Sequence, residues 1–128
     1  MSIPDNLRYT KEHEWALLER DIVTVGLTDY AQQSLGEIVF VEAPSEGAGF
    51  SKGDVLGAVE STKAVSDIFS PVTGKVVEVN EALLDSPNTI NNSPYGDGWL
   101  VKIAPDGSSL LEDLMDSEAY KKFLETAT

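Results

Sequence analysis

The chain has 128 residues, with nine Lys and Arg against 22 Asp and Glu, a formal charge of −13, and no cysteine. That length fits one domain, 1–128, large enough to bury a core without disulfides or metals, and the charge argues against nucleic acid or an anionic membrane as a partner. Without cysteine there are no disulfide staples, thiolate nucleophiles or Cys-ligated metals, so any redox chemistry must come from a group that is bound or attached.

The acidity has two readings: it keeps a small protein soluble, or it complements basic protein surfaces. No apolar run approaches a membrane span. The first residues carry neither a hydrophobic signal core nor an Arg- and Ser-rich transit pattern. A cytoplasmic protein is expected, a processed mitochondrial form being the alternative.

From Met1 to His13 the chain is polar and mixed, with a short extended candidate from Leu7 to Tyr9. Residues 14–20 and 22–27 are two strand-like runs meeting at Asp21, a predicted hairpin. Val23, Val25 and Leu27 share one face and Ile22, Thr24 and Gly26 the other. Thr28 is placed to cap a short helix over residues 29–35, which Gly36 would end in a left-handed conformation. Residues 37–42 return to strand, with Ile38 and Phe40 opposite Val39 and Val41. Their near-continuous apolar character predicts burial on both faces.

A loop from Pro44 to Gly49 follows. Residues 53–71 then hold two short apolar runs, Val55, Leu56, Ala58 and Val59 before Val65, Ile68 and Phe69, about a polar centre Glu60-Ser61-Thr62-Lys63-Ala64. This reads as a β-hairpin with Lys63 at its tip, although no Asn-Gly or Asp-Gly pair marks the turn. Another strand is predicted at 75–79. Residues 52–60 and 73–81 echo each other, as two halves of a pseudo-symmetric sandwich would.

Asn80 is placed to cap a brief helix over residues 81–85, stopped by Pro87. Residues 88–98 are turn-rich and long, hence either packed by their own side chains or functional, and residues 99–103 make the last strand. Ser109 with Glu112 forms a capping box for a helix over 110–115. A second helix from Asp116 or Ser117 to about Glu125 would turn Tyr120, Phe123 and Leu124 inward. The expected architecture is mainly β with short helices, two of them near the C-terminus at about 110–125.

Self-contained catalysis finds little support. His13 is the only histidine, and no serine sits in a nucleophile elbow. The glycine-rich loop lacks phosphate-binding and dinucleotide fingerprints, and Glu42, Glu46 and Asp54 lack calcium-loop spacing. Read on its own, Lys63 is either a solvated surface charge or a residue framed for a modifying enzyme by symmetric apolar flanks and the carboxylates Glu60 and Asp67.

The run Glu60-Ser61-Thr62-Lys63-Ala64-Val65-Ser66-Asp67, with Gly74 downstream, resembles the attachment hairpin of lipoyl and biotinyl carrier domains. Thr62 and Ala64, where biotin carriers have methionines, favour lipoyl. Blocks at 9–15, 25–32, 35–42, 57–61, 76–83, 85–87 and 94–100 extend the resemblance over nearly the whole chain, to the glycine cleavage system H protein family. Thr62 is a mild variation on that pattern.

The resemblance implies a hammerhead β-sandwich, or flattened barrel, with Lys63 joined through an amide to lipoic acid and framed by Glu60, Ser61, Thr62, Ala64, Asp67 and Gly74. It implies a carrier rather than an enzyme. The aminomethyl group of glycine would pass from a pyridoxal-phosphate-dependent glycine decarboxylase to a tetrahydrofolate-dependent aminomethyltransferase, and electrons then to dihydrolipoamide dehydrogenase. A lipoate ligase or lipoyltransferase would attach the group. A loaded arm folded back onto the body would meet Glu12, His13, Glu14 or Asp67; the bland reading of these carboxylates is that they are merely solvated. A monomer is expected, because a carrier surface must stay free. Two alternatives stand beside this reading: a relay that donates lipoyl groups to other lipoyl-dependent enzymes, and an unmodified interaction module.

Overall fold

Among the described residues, short strands with alternating apolar residues give two sheets that bury their inner faces against each other. The computed structural model describes residues 2–107, 111 and 113–127. One sheet has the order β1 (Arg8–Tyr9), β2 (Glu14–Glu19), β3 (Ile22–Leu27), β9 (Val101–Pro105), β8 (Gly74–Val79), β5 (Gly49–Phe50). The other has the order β4 (Ile38–Glu42), β6 (Val55–Ser61), β7 (Val65–Phe69). Val23, Val25, Val76, Val101 and Ile103 from the larger sheet meet Ile38, Val41, Leu56, Val59 and Ile68 from the smaller. Each such side chain contributes about 1.5–3 kcal/mol by leaving water. The expected mainly β sandwich is present, and its two echoing segments fall in different sheets, as β6 and β8.

Local chemistry explains several element ends. The β2–β3 turn is Arg20-Asp21, both at positive φ, 51° and 64°, the backbone form that matches strand twist in two-residue hairpins. Gly26 lies under the Trp15 indole, where a Cβ would stand 2.5 Å from the ring. Thr28 Oγ1 accepts the Ala31 N–H at the start of α1 (Asp29–Leu35), as its position predicts. Gly36 ends the helix at φ 82° and ψ −159°. That is not the left-handed helical form expected but an extended positive-φ form that is essentially restricted to glycine.

Three expectations need correction. In β4, Val39 and Phe40 are 47% and 55% exposed rather than buried. A register shift between Ile38 and Phe40 opposite Ser61 and Glu60 inserts Val39 as an extra residue. Ile38 and Val41 therefore point inward, and Phe40 is turned outward. Asn80 does not cap α2 (Ala82–Asp85) with its side chain; its Nδ2 donates to the carbonyls of Asp97 and Trp99. The last strand begins at Val101, not Trp99.

The turn-rich stretch contains α3 (Thr89–Asn92), anchored by the fully buried Ile90. Ser109, Leu110 and Glu112 of the predicted capping box and helix lie outside the described residues. Of its other members, Leu111, Asp113 and Leu114 take turn or bend conformations, and Met115 bridges to Tyr9. The final helix, α4 (Ser117–Ala127), starts where Asp116 Oδ1 accepts the Ala119 N–H. Its inner face carries Tyr120, Phe123 and Leu124 into a second apolar cluster with Leu7, Tyr9 and Trp15, and Tyr9 and Tyr120 stack with centroids 4.6 Å apart. Among the described residues, no helix is long and apolar enough to cross a membrane.

Candidate functional site

β6 and β7 form the predicted hairpin, paired from Glu60↔Val65 to Val55↔Phe69. Its tip, Ser61-Thr62-Lys63-Ala64, closes through Ser61 N–H to Ala64 O at 2.8 Å. Ser61 Oγ accepts the amides of Lys63 and Ala64 at 3.2 and 3.0 Å. One buried hydroxyl thus shapes the turn that Asn-Gly would otherwise supply. The Thr62 amide donates to Glu37 O at 3.2 Å, tying the tip to the corner between α1 and β4. Lys63 is exposed, and its stem runs past Gly36, with Cε 3.5 Å from where a Cβ there would be. Among the described residues its ammonium forms no salt bridge or hydrogen bond.

Cross-strand register lays out the solvent face of the small sheet. Phe40, Glu60 and Val65 form one row and Glu42, Ala58 and Asp67 the next, so Glu60 and Asp67 are both exposed beside the tip. Gly74 is elsewhere. It opens β8 in the larger sheet, opposite Phe50 and Pro105, where a Cβ would sit 2.4 Å from Ala104 O. Close backbone packing is its local requirement.

Alongside the base of the hairpin lies a cleft of about 370 Å³, lined among others by Lys11, Glu12, Glu14, Lys52, Phe69 and Asp113. Glu14 is 1% exposed. Thr10 Oγ1 donates to its Oε1 at 2.6 Å, and the Phe69 amide donates to Oε2 at 3.0 Å. Burial pushes this carboxyl up to about 7 against those two hydrogen bonds, with the neighbouring Glu12 charge adding to the rise. Such a group is poised to give or take a proton, or to meet a cation, near neutral pH.

His13 does not join the cleft. Its backbone is at φ 70°, which turns the ring among Tyr30, Tyr120 and Phe123, and its Nδ1 is 2.8 Å from the Tyr120 hydroxyl. Burial favours the neutral form of both rings: it lowers the His13 pKa and pushes Tyr120 up to about 12. The structure therefore brings Glu12 and Glu14 together, sets Asp67 on the outer face of β7, and leaves His13 to packing. The roles of Thr10 and the Phe69 amide have no sequence signal beyond a hydroxyl four residues before Glu14.

The chain as a whole is similar to known proteins. A family model described as Glycine cleavage H-protein matches residues 7–127. The glycine cleavage system H protein of Anaeromyxobacter sp. (strain K) is 54% identical over 125 residues, covering 98% of each chain. That of Bacteroides thetaiotaomicron is 50% identical over 121 residues, covering 94% of this chain and 96% of its own. The crystal structure of a glycine cleavage system H protein from Mycobacterium marinum superposes with a TM-score of 0.86 at 37% identity, covering 98% of each chain. With its family matched over residues 7–127 and its fold shared with a solved relative, the chain belongs to the glycine cleavage H-protein family.

Proposed function

We propose that the chain is a lipoyl-bearing carrier of the glycine cleavage system, with lipoic acid joined by an amide to Lys63 Nζ. It carries the aminomethyl group of glycine from glycine decarboxylase to the aminomethyltransferase, and then presents its reduced group to dihydrolipoamide dehydrogenase. The observation that carries this reading is Lys63 itself: an exposed lysine at the tip of a shaped hairpin, in a chain of this family. Because its ammonium has no ion-pair partner among the described residues, acylation would strand no carboxylate. When bound, the group supplies a disulfide that accepts the aminomethyl carbon and then stores two electrons, sulfur chemistry that a chain without cysteine lacks.

The chain's own residues do the rest. Ser61 shapes the tip, Glu37 O receives the Thr62 amide, and Glu12 and Glu14 offer carboxyl groups to an amine in the cleft they line. Asp67 presents a third carboxylate, on β7. The net charge of −13 suits rapid encounters with basic partner surfaces. Bacterial relatives support a cytoplasmic setting, and an unobstructed tip suits a monomer.

Intact mass spectrometry after expression with a lipoate ligase and lipoate tests the reading. A lipoyl-sized mass increase that disappears in Lys63→Ala is expected. An unmodified wild-type chain would overturn it.

A further inference from the structure

The hairpin tip takes its position from the corner at residues 36–38. Beyond the Ile38–Ser61 rung, the tie is the Thr62 amide on Glu37 O. Gly36 gives this corner the backbone freedom of a glycine at φ 82° and ψ −159°, so something else has to hold Glu37 O in place. That something lies in α3. The Asn91 carboxamide straddles Glu37: its Nδ2 donates to Gly36 O at 2.8 Å, and its Oδ1 accepts the Ile38 N–H at 2.9 Å. The second Nδ2 hydrogen goes to Gln32 Oε1 at 3.0 Å, fastening the last turn of α1 to the same group.

Donor and acceptor cannot be exchanged here. Ile38 N–H requires an oxygen and Gly36 O requires a donor, which fixes the orientation of the amide. α3 is itself immobilised by its neighbour Ile90, which is fully buried. We infer that Asn91 is a positioning residue for Lys63: its carboxamide fixes the corner that seats Thr62 and so presents the lysine in one place to each enzyme that acts on it. Its functional half rests on the carrier reading. The stretch of residues 88–98, long for a connection, thereby has a role in the site.

If the tip is presented correctly for only a fraction of the time, the apparent affinity of a modifying enzyme falls by that fraction. Two measurements on Asn91→Ala and on the isosteric Asn91→Asp, which offers Gly36 O no donor, test this. The first is amide hydrogen exchange on the unmodified chain. Protection at Thr62 should be lost, whereas Ser61, whose amide bonds within the tip to Ala64 O, should keep its own.

The second is lipoylation by a lipoate ligase with the carrier as varied substrate. KM should rise about tenfold if the competent fraction falls to about a tenth, with kcat held. Ile103→Val, which weakens the core in the other sheet, should lower Tm and leave KM alone. Unchanged Thr62 protection in both Asn91 variants, or KM in those variants no different from that in Ile103→Val, would overturn the inference. A wild-type chain that accepts no lipoyl group would instead overturn the carrier reading and the functional half with it, while the exchange measurement would still decide whether Asn91 holds the tip.

Discussion

Replacing Glu14 with Gln should stabilise the fold at neutral and alkaline pH and change little in acid. The carboxyl is raised from 4.5 to about 7, so between those values the folded chain holds a proton that the unfolded chain releases. Stability is then fully present below pH 4.5 and is lost as pH rises through 7. At 1.36 kcal/mol per pH unit, the shift corresponds to about 3 kcal/mol. Glutamine is neutral throughout and can still accept the Phe69 amide, so it carries no such penalty.

Urea denaturation of both chains at pH 4.5, 7 and 8.5 would measure the effect. The other acidic groups are common to both chains and cancel in the difference. Any fixed cost of turning an NH2 toward Thr10 cancels in the change with pH. The stability of Glu14→Gln relative to wild type should climb by about 3 kcal/mol from the lowest pH to the highest. A difference that stays flat, or that falls with pH, would refute a buried carboxyl shifted upward by desolvation.

Two further outcomes follow from the hairpin and its neighbour strand. Ser61→Ala removes the acceptor for the Lys63 and Ala64 amides but leaves the backbone bond to Ala64 O; urea denaturation should show a loss of about 1 kcal/mol with the hairpin still formed, and an unchanged midpoint would mean that the hydroxyl does not shape the turn. Phe40→Gln should shift stability by no more than about 0.5 kcal/mol in the same assay, because the bulge places the ring in solvent. A loss of about 3–5 kcal/mol, as for a core aromatic, would contradict the bulge.

What could be read from the sequence was what one local rule decides. Thr28 and Gly36 bracket α1 because a hydroxyl and a missing side chain act within a few residues. The apolar runs either side of Lys63 showed the hairpin, although the feature that closes it, the Ser61 hydroxyl, looks like any polar residue. Val39 escaped because an inserted residue in a strand leaves no mark of its own, and the alternation it breaks is apolar on both sides. The sequence left Glu14 open between a docking partner and a solvated charge, because the Phe69 amide that binds its carboxyl is brought from 55 positions away. Asn91 looks like a turn residue and Asn80 like a helix cap, and only the assembled fold shows that their amides bind backbone from distant segments.

The bond from Phe69 to Glu14 also bears on how the molecule behaves in a crowd. β7 is the outer strand of its sheet, and an outer strand is a template on which another extended chain can add. At the Phe69 rung the outward N–H is already taken by a carboxyl from the larger sheet, and nearby Asp67 adds an exposed charge. A segment seeking to pair along β7 would have to displace Glu14 from its hydrogen bonds and desolvate Asp67. The same carboxyl that faces the cleft therefore guards the hairpin against strand addition, keeping the lysine-bearing strand pair single.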